Sequence, residues 1–377
     1  MPMIHHVHIA GAGIAGLFMA LCLQQQGVAF TLYEQSPDIS YNEVGLGLSS
    51  NVFPILDKLG LLASTRLLGD DILHFRFADK QLEPVKEFAL HAPALSINRK
   101  QFHQLLYRHL DKSNLKLNTR FPLSHTVGSN EIIIGADGIH SAIRGRMYSG
   151  IPIRSSGQVL WRGIACMPLP EEFKQSYFDI IGGNMRFAIV HIRGNHYSWY
   201  AITEGSTDKV IVPSAAARQM LMKLFSHYHP VVNMIIHATD NIYCNYLQDI
   251  KPSDRRVPWF QDNTVLMGDA IHPATPNLAN GACLAIEDAF VLSRLMQQHI
   301  GGSFDSIFSQ YQQLREEKVN RIVQQSWYLG KLMHQPNRML DKAMIMGTRL
   351  TPAFLFKKIY APVLHTGYKS LMSAEVI

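Results

Sequence analysis

The sequence predicts an α/β fold in three parts: a parallel sheet, a mostly antiparallel second sheet and a helical C-terminal region. Three observations carry that expectation. The hexapeptide Gly11-Ala12-Gly13-Ile14-Ala15-Gly16 lies between an apolar run and a helical pattern, residues 158–212 alternate with period two, and residues 281–332 read as long helices.

The 377 residues exceed one core of ordinary size, and 47% hydrophobic against 17% charged residues exclude disordered and collagen-like classes. The 35 basic and 29 acidic residues leave a net +6 without any Lys/Arg block, so no nucleic-acid partner is expected. Cys22, Cys166, Cys244 and Cys283 are too scattered for a disulfide framework or a CxxC metal site, which suits reduced thiols in a cytoplasmic protein. The apolar N-terminus lacks the basic region of a signal peptide, and no apolar run reaches the ~18 residues of a membrane span.

Val7 to Ala10 reads as a buried strand, Leu17 to Gln26 as a helix closed by Gly27, and Ala29 to Tyr33 as the next strand, together a βαβ unit. Helical periodicity returns over Ser49–Leu59 and Gln101–Leu110, and Ile72–Leu90 resembles a hairpin turning at Asp79-Lys80. Glu131–Ala136 and Thr264–Met267 read as strands, and Ser214–Thr239, Gly281–Gln298 and Ile307–Leu332 as helices.

The glycines permit a tight turn, close approach of the backbone to a pyrophosphate and close helix–sheet packing, while the helix N-terminus supplies positive charge. Glu34, at the end of the following strand, is placed to hold a ribose hydroxyl, beside Gln35. Two further turns follow strands: Gly135-Ala136-Asp137-Gly138, and Gly268-Asp269 with Pro273 and Pro276 after it.

These three turns, in this order, resemble the fingerprints of the single-component FAD-dependent aromatic hydroxylases of the para-hydroxybenzoate hydroxylase type. The run from Pro276 to Ala289 is similar to the branch containing 6-hydroxynicotinate 3-monooxygenase, 3-hydroxybenzoate 6-hydroxylase and salicylate hydroxylases. The resemblance implies a Rossmann-like FAD-binding domain, an antiparallel substrate sheet and a C-terminal helical region. The implied boundaries are 1–71, 96–150 and 251–300 for FAD binding, 72–95 and 151–250 for the substrate domain, and 301–377 for the helices.

It also implies FAD held by Gly11, Gly13, Ala15, Gly16, Glu34, Gln35, Gly47, Leu48, Arg99, Asp137, Gly138, Asp269, Ala279, Gly281 and Ala282. NADH or NADPH would reduce the flavin, O2 would add at C4a, and the resulting hydroperoxide would hydroxylate a small aromatic substrate. A monomer or homodimer is expected. Arg162 is the candidate for a substrate carboxylate, His191 for a phenolic proton, and Pro276 for the loop over the flavin.

The chain departs from the family at Asn280, where glutamine is common, in the short stretch between Leu110 and Ile132, and at Phe187 and His191, where a pocket histidine and tyrosine are usual. Trp161, Phe187 and Trp199 would suit a larger polycyclic, quinone or antibiotic substrate, and a non-hydroxylating flavin-binding regulator is a further alternative. No metal is expected of His5, His6 and His8, since a strand turns His5 away from the other two. Lys357, Lys358 and Lys369, among Phe354, Phe356, Ile359 and Tyr360, suggest a tail helix packed on the FAD domain.

Overall fold

Period-two and period-3.6 patterns alternate along this chain, and they sort it into two sheets with helices between and around them. The computed structural model describes residues 4–39, 42–205, 212–298, 303–334, 337–352, 354–355 and 358. The first sheet has the strand order Phe260–Gln261, Thr264–Leu266, Glu131–Gly135, His6–Ala10, Phe30–Tyr33, Leu115–Lys116. All its pairings are parallel except the first. The helices Ile14–Gln25 and Gly281–Gln298 bury one face of it, with Val7 and Ile9 of the strand His6–Ala10 in that core and His6 and His8 on the opposite face.

The second sheet runs Tyr243–Asp249, Arg154–Cys166, His196–Glu204, Met185–Arg193, Ser176–Gly182, Gly69–Asp79, Pro84–Asn98, Gly45–Leu48. Only Gly69–Asp79 and Ser176–Gly182 pair in parallel. The expected hairpin is present, with Asp79 Oδ1 accepting from the amides of Gln81 and Glu83 at its turn. Gly45–Leu48 lies outside the predicted substrate-domain segments yet completes this sheet.

Alternation gives the sheet two unlike faces. Trp161, Phe187, Ile189, Tyr197, Trp199 and Ala201 pack under the helices Ser214–Leu224 and Pro230–His237. Phe187 stacks on Trp199 with ring centroids 5.3 Å apart, and Trp199 Nε1 donates to Thr239 Oγ1 at 2.7 Å. The single helix expected over 214–239 is two, because Pro230 opens the second and His229 caps it through Nδ1. The expected pocket role of Trp161, Phe187 and Trp199 is corrected accordingly, since parity puts all three in this core.

Two C-terminal helices, Phe304–Met333 and Arg338–Leu350, complete the described chain. The second packs on the second sheet rather than on the nucleotide-binding sheet, where Asp341 accepts from the Gly183 amide at 3.0 Å. Phe354 is exposed; of the other residues of the expected tail helix, Phe356, Lys357, Ile359, Tyr360 and Lys369 lie outside the described residues. No helix among the described residues is long and apolar enough to cross a membrane.

Phe187→Ala should cost about 3–5 kcal/mol of stability, the range for deleting a buried aromatic ring. Urea denaturation would read this; a loss under 1 kcal/mol would move Phe187 out of the core.

Candidate active site

The first turn is built by steric necessity. Gly11 has φ +99°, and a Cβ there would lie 2.6 Å from the Ala136 carbonyl oxygen. A methyl at Gly16 would collide with the Gly11 carbonyl, so the helix Ile14–Gln25 reaches the strand only because that side chain is absent. Glu34 closes the unit: Oε2 accepts from the Ala12 amide and Oε1 from the Ser36 amide, each at 2.9 Å. Gln35 points elsewhere, to Arg120 on the surface.

The other two turns come to the same place. The backbone of Ala136 and Asp137 abuts Gly11, and at Gly268 a Cβ would meet Ala15 Cβ at 3.1 Å and Ala285 Cβ at 3.5 Å. Asp137 Oδ2 accepts from the amides of Ala142 and Ile143, capping a short helix, and Oδ1 is buried without a hydrogen-bond partner. Arg144 then joins the two aspartate turns, donating to the carbonyls of Ile139 at 2.6 Å and Ala270 at 2.5 Å.

Asp269 identifies the space between them. Its carboxylate is open to water, yet surrounding protein raises its pKa by desolvation, with His272 and Arg99 pulling it back. A group both accessible and desolvated lines an internal channel. Gly13, Gly138 and Gly281 have no atom within 4 Å of a would-be Cβ, so backbone there faces open space. The enclosed carboxylate, the unpartnered Asp137 oxygen and the bare backbone fit an elongated polar group such as FAD.

Arg99 reaches this region because the strand Pro84–Asn98 runs directly into a helix capped by Asn98, whose Oδ1 accepts from Lys100 and Gln101. A Cβ at Gly47 would lie 3.9 Å from Ala279 Cβ, whereas Leu48 is fully buried in the core. Ala279 has φ +49° and ψ +35°, a left-handed conformation that costs a residue with a Cβ about 1–3 kcal/mol and clusters at functional sites. It brings the chain from Pro276 into the N-terminus of the helix Gly281–Gln298, where Gly281 and Ala282 remain partly exposed. Asn280 donates to Ser49 Oγ at 3.2 Å, and its own Oδ1 is unpartnered.

That helix is held by a buried charge network. Arg315 pairs with Glu287 at 2.6 Å and Asp288 at 2.7 Å, Lys318 with Glu287 at 2.6 Å, and His272 with Asp288 at 2.5 Å. Desolvation works against the Asp288 carboxylate, but His272 and Arg315 outweigh it and hold its pKa well below the usual range.

The sheet face opposite the Trp199 core looks toward these turns. Arg162, Tyr200, Ala188 and Asp179 form one row across it, with Arg186, Ser198 and Tyr177 on neighbouring rows. Arg162 donates to Asn245 Oδ1 at 2.7 Å, and its Nε is buried without a partner. Burial and then the Arg99 charge push its pKa down, the signature of a cation favoured by an incoming anion. Arg186 forms a two-pronged buried pair with Asp179 and donates to Tyr177 Oη at 3.1 Å and Asn277 Oδ1 at 3.2 Å. Tyr177 and Tyr200 share a short hydroxyl–hydroxyl contact.

The expected role of His191 is corrected by parity: it shares the covered face with Phe187, and its nitrogens meet Asp70 at 3.0 Å and the Gly194 carbonyl at 2.9 Å. Sequence reasoning missed Tyr177, Asp179, Arg186 and Tyr200. The signal was present in Tyr177-Phe178-Asp179, whose outer members share a face of the strand.

His103, one turn after Arg99, is fully buried, and desolvation followed by the Arg99 charge pushes it down to about 3. Its unfolded value is near 6.5, so its contribution is complete above that pH and is lost as pH falls toward 3. Below pH 6 this residue alone should lower the unfolding free energy by about 1.4 kcal/mol per pH unit. His103→Leu should reduce the slope by one proton in urea titrations between pH 7 and pH 5; an unchanged slope would refute the assignment. Arg315→Met should cost about 3–5 kcal/mol by stranding two buried carboxylates, read by the same method.

The three turns and the strained helix entry can be set beside known proteins. The model of the FAD binding domain family matches residues 5–127 and 251–326, more than half of the chain. Aurachin C monooxygenase/isomerase of Stigmatella aurantiaca is 28% identical over 349 residues, covering 86% of this chain and 89% of that protein. 6-Hydroxynicotinate 3-monooxygenase of Bordetella bronchiseptica is 26% identical over 347 residues, covering 84% and 89%. The structure of Klebsiella pneumoniae HpxO complexed with FAD and uric acid superposes with TM-score 0.83 at 20% identity, over 96% of this chain and 97% of that one, a likeness of fold. With its three turns brought together and its matched segments carrying the first and the third of them, the chain belongs to the FAD binding domain family and is an FAD-dependent monooxygenase.

Proposed function

We propose that the chain hydroxylates a small aromatic ring bearing an anionic or acidic oxygen, with NADH or NADPH as reductant and O2 as oxidant. The observation that carries this is Arg162: a half-buried arginine whose Nε is buried without a partner, beside a second cation, Arg99, on the sheet face opposite the Trp199 core. The 6-hydroxynicotinate relative, whose named substrate is a hydroxylated aromatic acid, supports the same class. In this reading residues 1–71, 96–150 and 251–300 serve FAD, and residues 72–95 and 151–250 serve the substrate.

FAD, when bound, supplies the reductive activation of O2. The bare backbone at Gly13 leaves room for the pyrophosphate over the helix N-terminus, in a turn shaped by Gly11, Ala15 and Gly16, while Glu34 would stand at the ribose end and Asp137, Gly138 and Asp269 would line the passage between. Gly47, Arg99, Ala279, Gly281 and Ala282 surround the opposite end, where amides at the start of the helix Gly281–Gln298 favour negative charge. Pro276 fixes the approach to that helix by opening the turn Pro276–Leu278.

Arg162 would bind the substrate anion by a charge-assisted hydrogen bond. Arginine only donates, so the Tyr177 oxygen accepts from Arg186 while its hydroxyl also meets that of Tyr200. Arg186, Tyr177 and Tyr200 thus form one hydrogen-bonded row that would present a tyrosine hydroxyl to an oxygen on the ring. Desolvation raises the Tyr177 pKa well above 10, so the pair positions a neutral hydrogen bond at neutral pH and is not the base.

Purified protein should carry flavin absorbance, and an aromatic hydroxy acid should stimulate NAD(P)H oxidation and yield a product heavier by one oxygen. Arg162→Met should raise KM for such a substrate about 10- to 100-fold, the worth of a hydrogen bond to a charged group, with flavin content unchanged. An unchanged KM across anionic substrates would overturn the assignment of Arg162.

A further inference from the structure

Away from the flavin channel, a cluster of ligand-type side chains forms at the outer surface of the nucleotide-binding sheet. The strands His6–Ala10 and Glu131–Gly135 run parallel, with His6 opposite Glu131, so His6, His8 and Glu131 share a face. The segment following the Leu115–Lys116 strand folds back over that face. Phe121 is buried against Tyr33, ring centroids 5.1 Å apart, and His125 sits edge-on to His8 at 4.7 Å. Arg146 holds the His125 carbonyl at 3.2 Å, and the Gly128 amide donates to Glu131 Oε2 at 3.0 Å, so the backbone of the segment is tied down independently of the imidazoles.

We propose that His8, His125 and Glu131 form a binding site for a divalent transition metal of the zinc class, with water completing the coordination. Among the described residues these three each offer a ligand atom, all within 4.8 Å of one another, and His8 Nε2 lies 3.8 Å from Glu131 Oε2. Tetrahedral zinc with bonds of about 2.0–2.1 Å spaces its ligands about 3.3 Å apart, so side-chain rotation closes the set. Two imidazoles and one carboxylate are a borderline-soft donor set that suits zinc over calcium or magnesium.

The independent observation is the state of the two rings. His8 is 8% exposed, yet its Nε2 has no hydrogen-bond partner, and His125 Nε2 is likewise buried and unpartnered. Tyr33 Oη lies 3.3 Å from His8 Nδ1; with Nδ1–H donating to that oxygen, the Nε2 lone pair is presented to the cluster, the outer-shell arrangement usual for a ligating histidine. Burial, then His6 and His125, push the His8 pKa down to about 4, which leaves the ring neutral at pH 7. His6 is not a ligand in this geometry, because its Nε2 is engaged by Thr31 Oγ1 at 2.9 Å. The charged groups facing the cluster are Glu131 and, on the His6 side, Lys116. The metal would fasten the segment around His125 to the sheet, a structural role separate from the flavin chemistry.

The test uses the flavin-loaded full chain, stripped with EDTA and titrated with ZnCl2 by calorimetry and thermal melting, with CoCl2 as a spectroscopic stand-in. Expected are one zinc per chain, a melting temperature raised by several degrees, and visible cobalt absorption of low-symmetry coordination. His125→Ala and Glu131→Gln should each weaken binding at least tenfold with the flavin spectrum retained, while His5→Ala should leave it unchanged. Absence of saturable binding at 100-fold excess zinc would overturn the proposal. So would undiminished affinity in His125→Ala, or loss in His5→Ala alone, which would mark adventitious binding at the N-terminal histidines.

Discussion

Everything near the flavin channel hangs on the charge cluster that fixes the helix Gly281–Gln298. Glu287 and Asp288 are adjacent, fully buried and both ion-paired, and between them they hold Arg315, Lys318 and His272, while Asn51 donates to Glu287 at 2.5 Å and the Gly268 amide to Asp288 at 2.9 Å. One network therefore ties four segments: the turn at Gly268, the turn at Asn51 that follows the strand Gly45–Leu48, the long C-terminal helix and the helix whose N-terminus opens on the channel. Apolar packing could hold these helices as strongly. What charge pairing adds here is register, because each partner tolerates only one axial position, and the amides at Gly281 and Ala282 are placed as a consequence.

The same logic links the two sheets. Gly330 on the Phe304–Met333 helix has no side chain where Asn277 approaches, and Asn277 accepts from Arg186 of the second sheet. Thr275 and Ser326 close the contact at 2.9 Å. The turn over the flavin channel is thus fastened on one side to the C-terminal helix and on the other to the Arg186–Asp179 pair. A change in that pair reaches both the open face of the second sheet and the helix entry at Ala279. The left-handed backbone at Ala279 is retained because both flanks are held.

Much of the fold was legible in the sequence because backbone sterics leave a local trace. The βαβ unit at Gly11–Gly16, the hairpin turn at Asp79 and the strands ending at Gly135 and Leu266 all follow from glycine placement and apolar runs. The break at Pro230 was equally local and was overlooked in favour of continuous periodicity. What was not legible was the partnership of residues far apart: His125 with His8, Arg186 with Asn277, Arg144 with Ala270. These depend on which segments the sheets bring together, and no spacing within one segment encodes that.

The second sheet shows how much one position of strand parity decides. Read as a string, Phe187 and His191 occupy the stretch in which pocket residues are expected, and both are four residues apart on one face; but that face is covered by the helices Ser214–Leu224 and Pro230–His237. The neighbouring residue, Arg186, points the other way and carries the buried carboxylate, the tyrosine pair and the contact to Asn277. A slip of one residue would exchange the whole set. The register is held by Trp199: its ring stacks on Phe187 and its indole N–H reaches Thr239, so only one alignment satisfies both. The aromatic residues that suggest a roomy apolar pocket therefore act from behind the sheet, by keeping Arg162, Tyr177, Arg186 and Tyr200 on the opposite face.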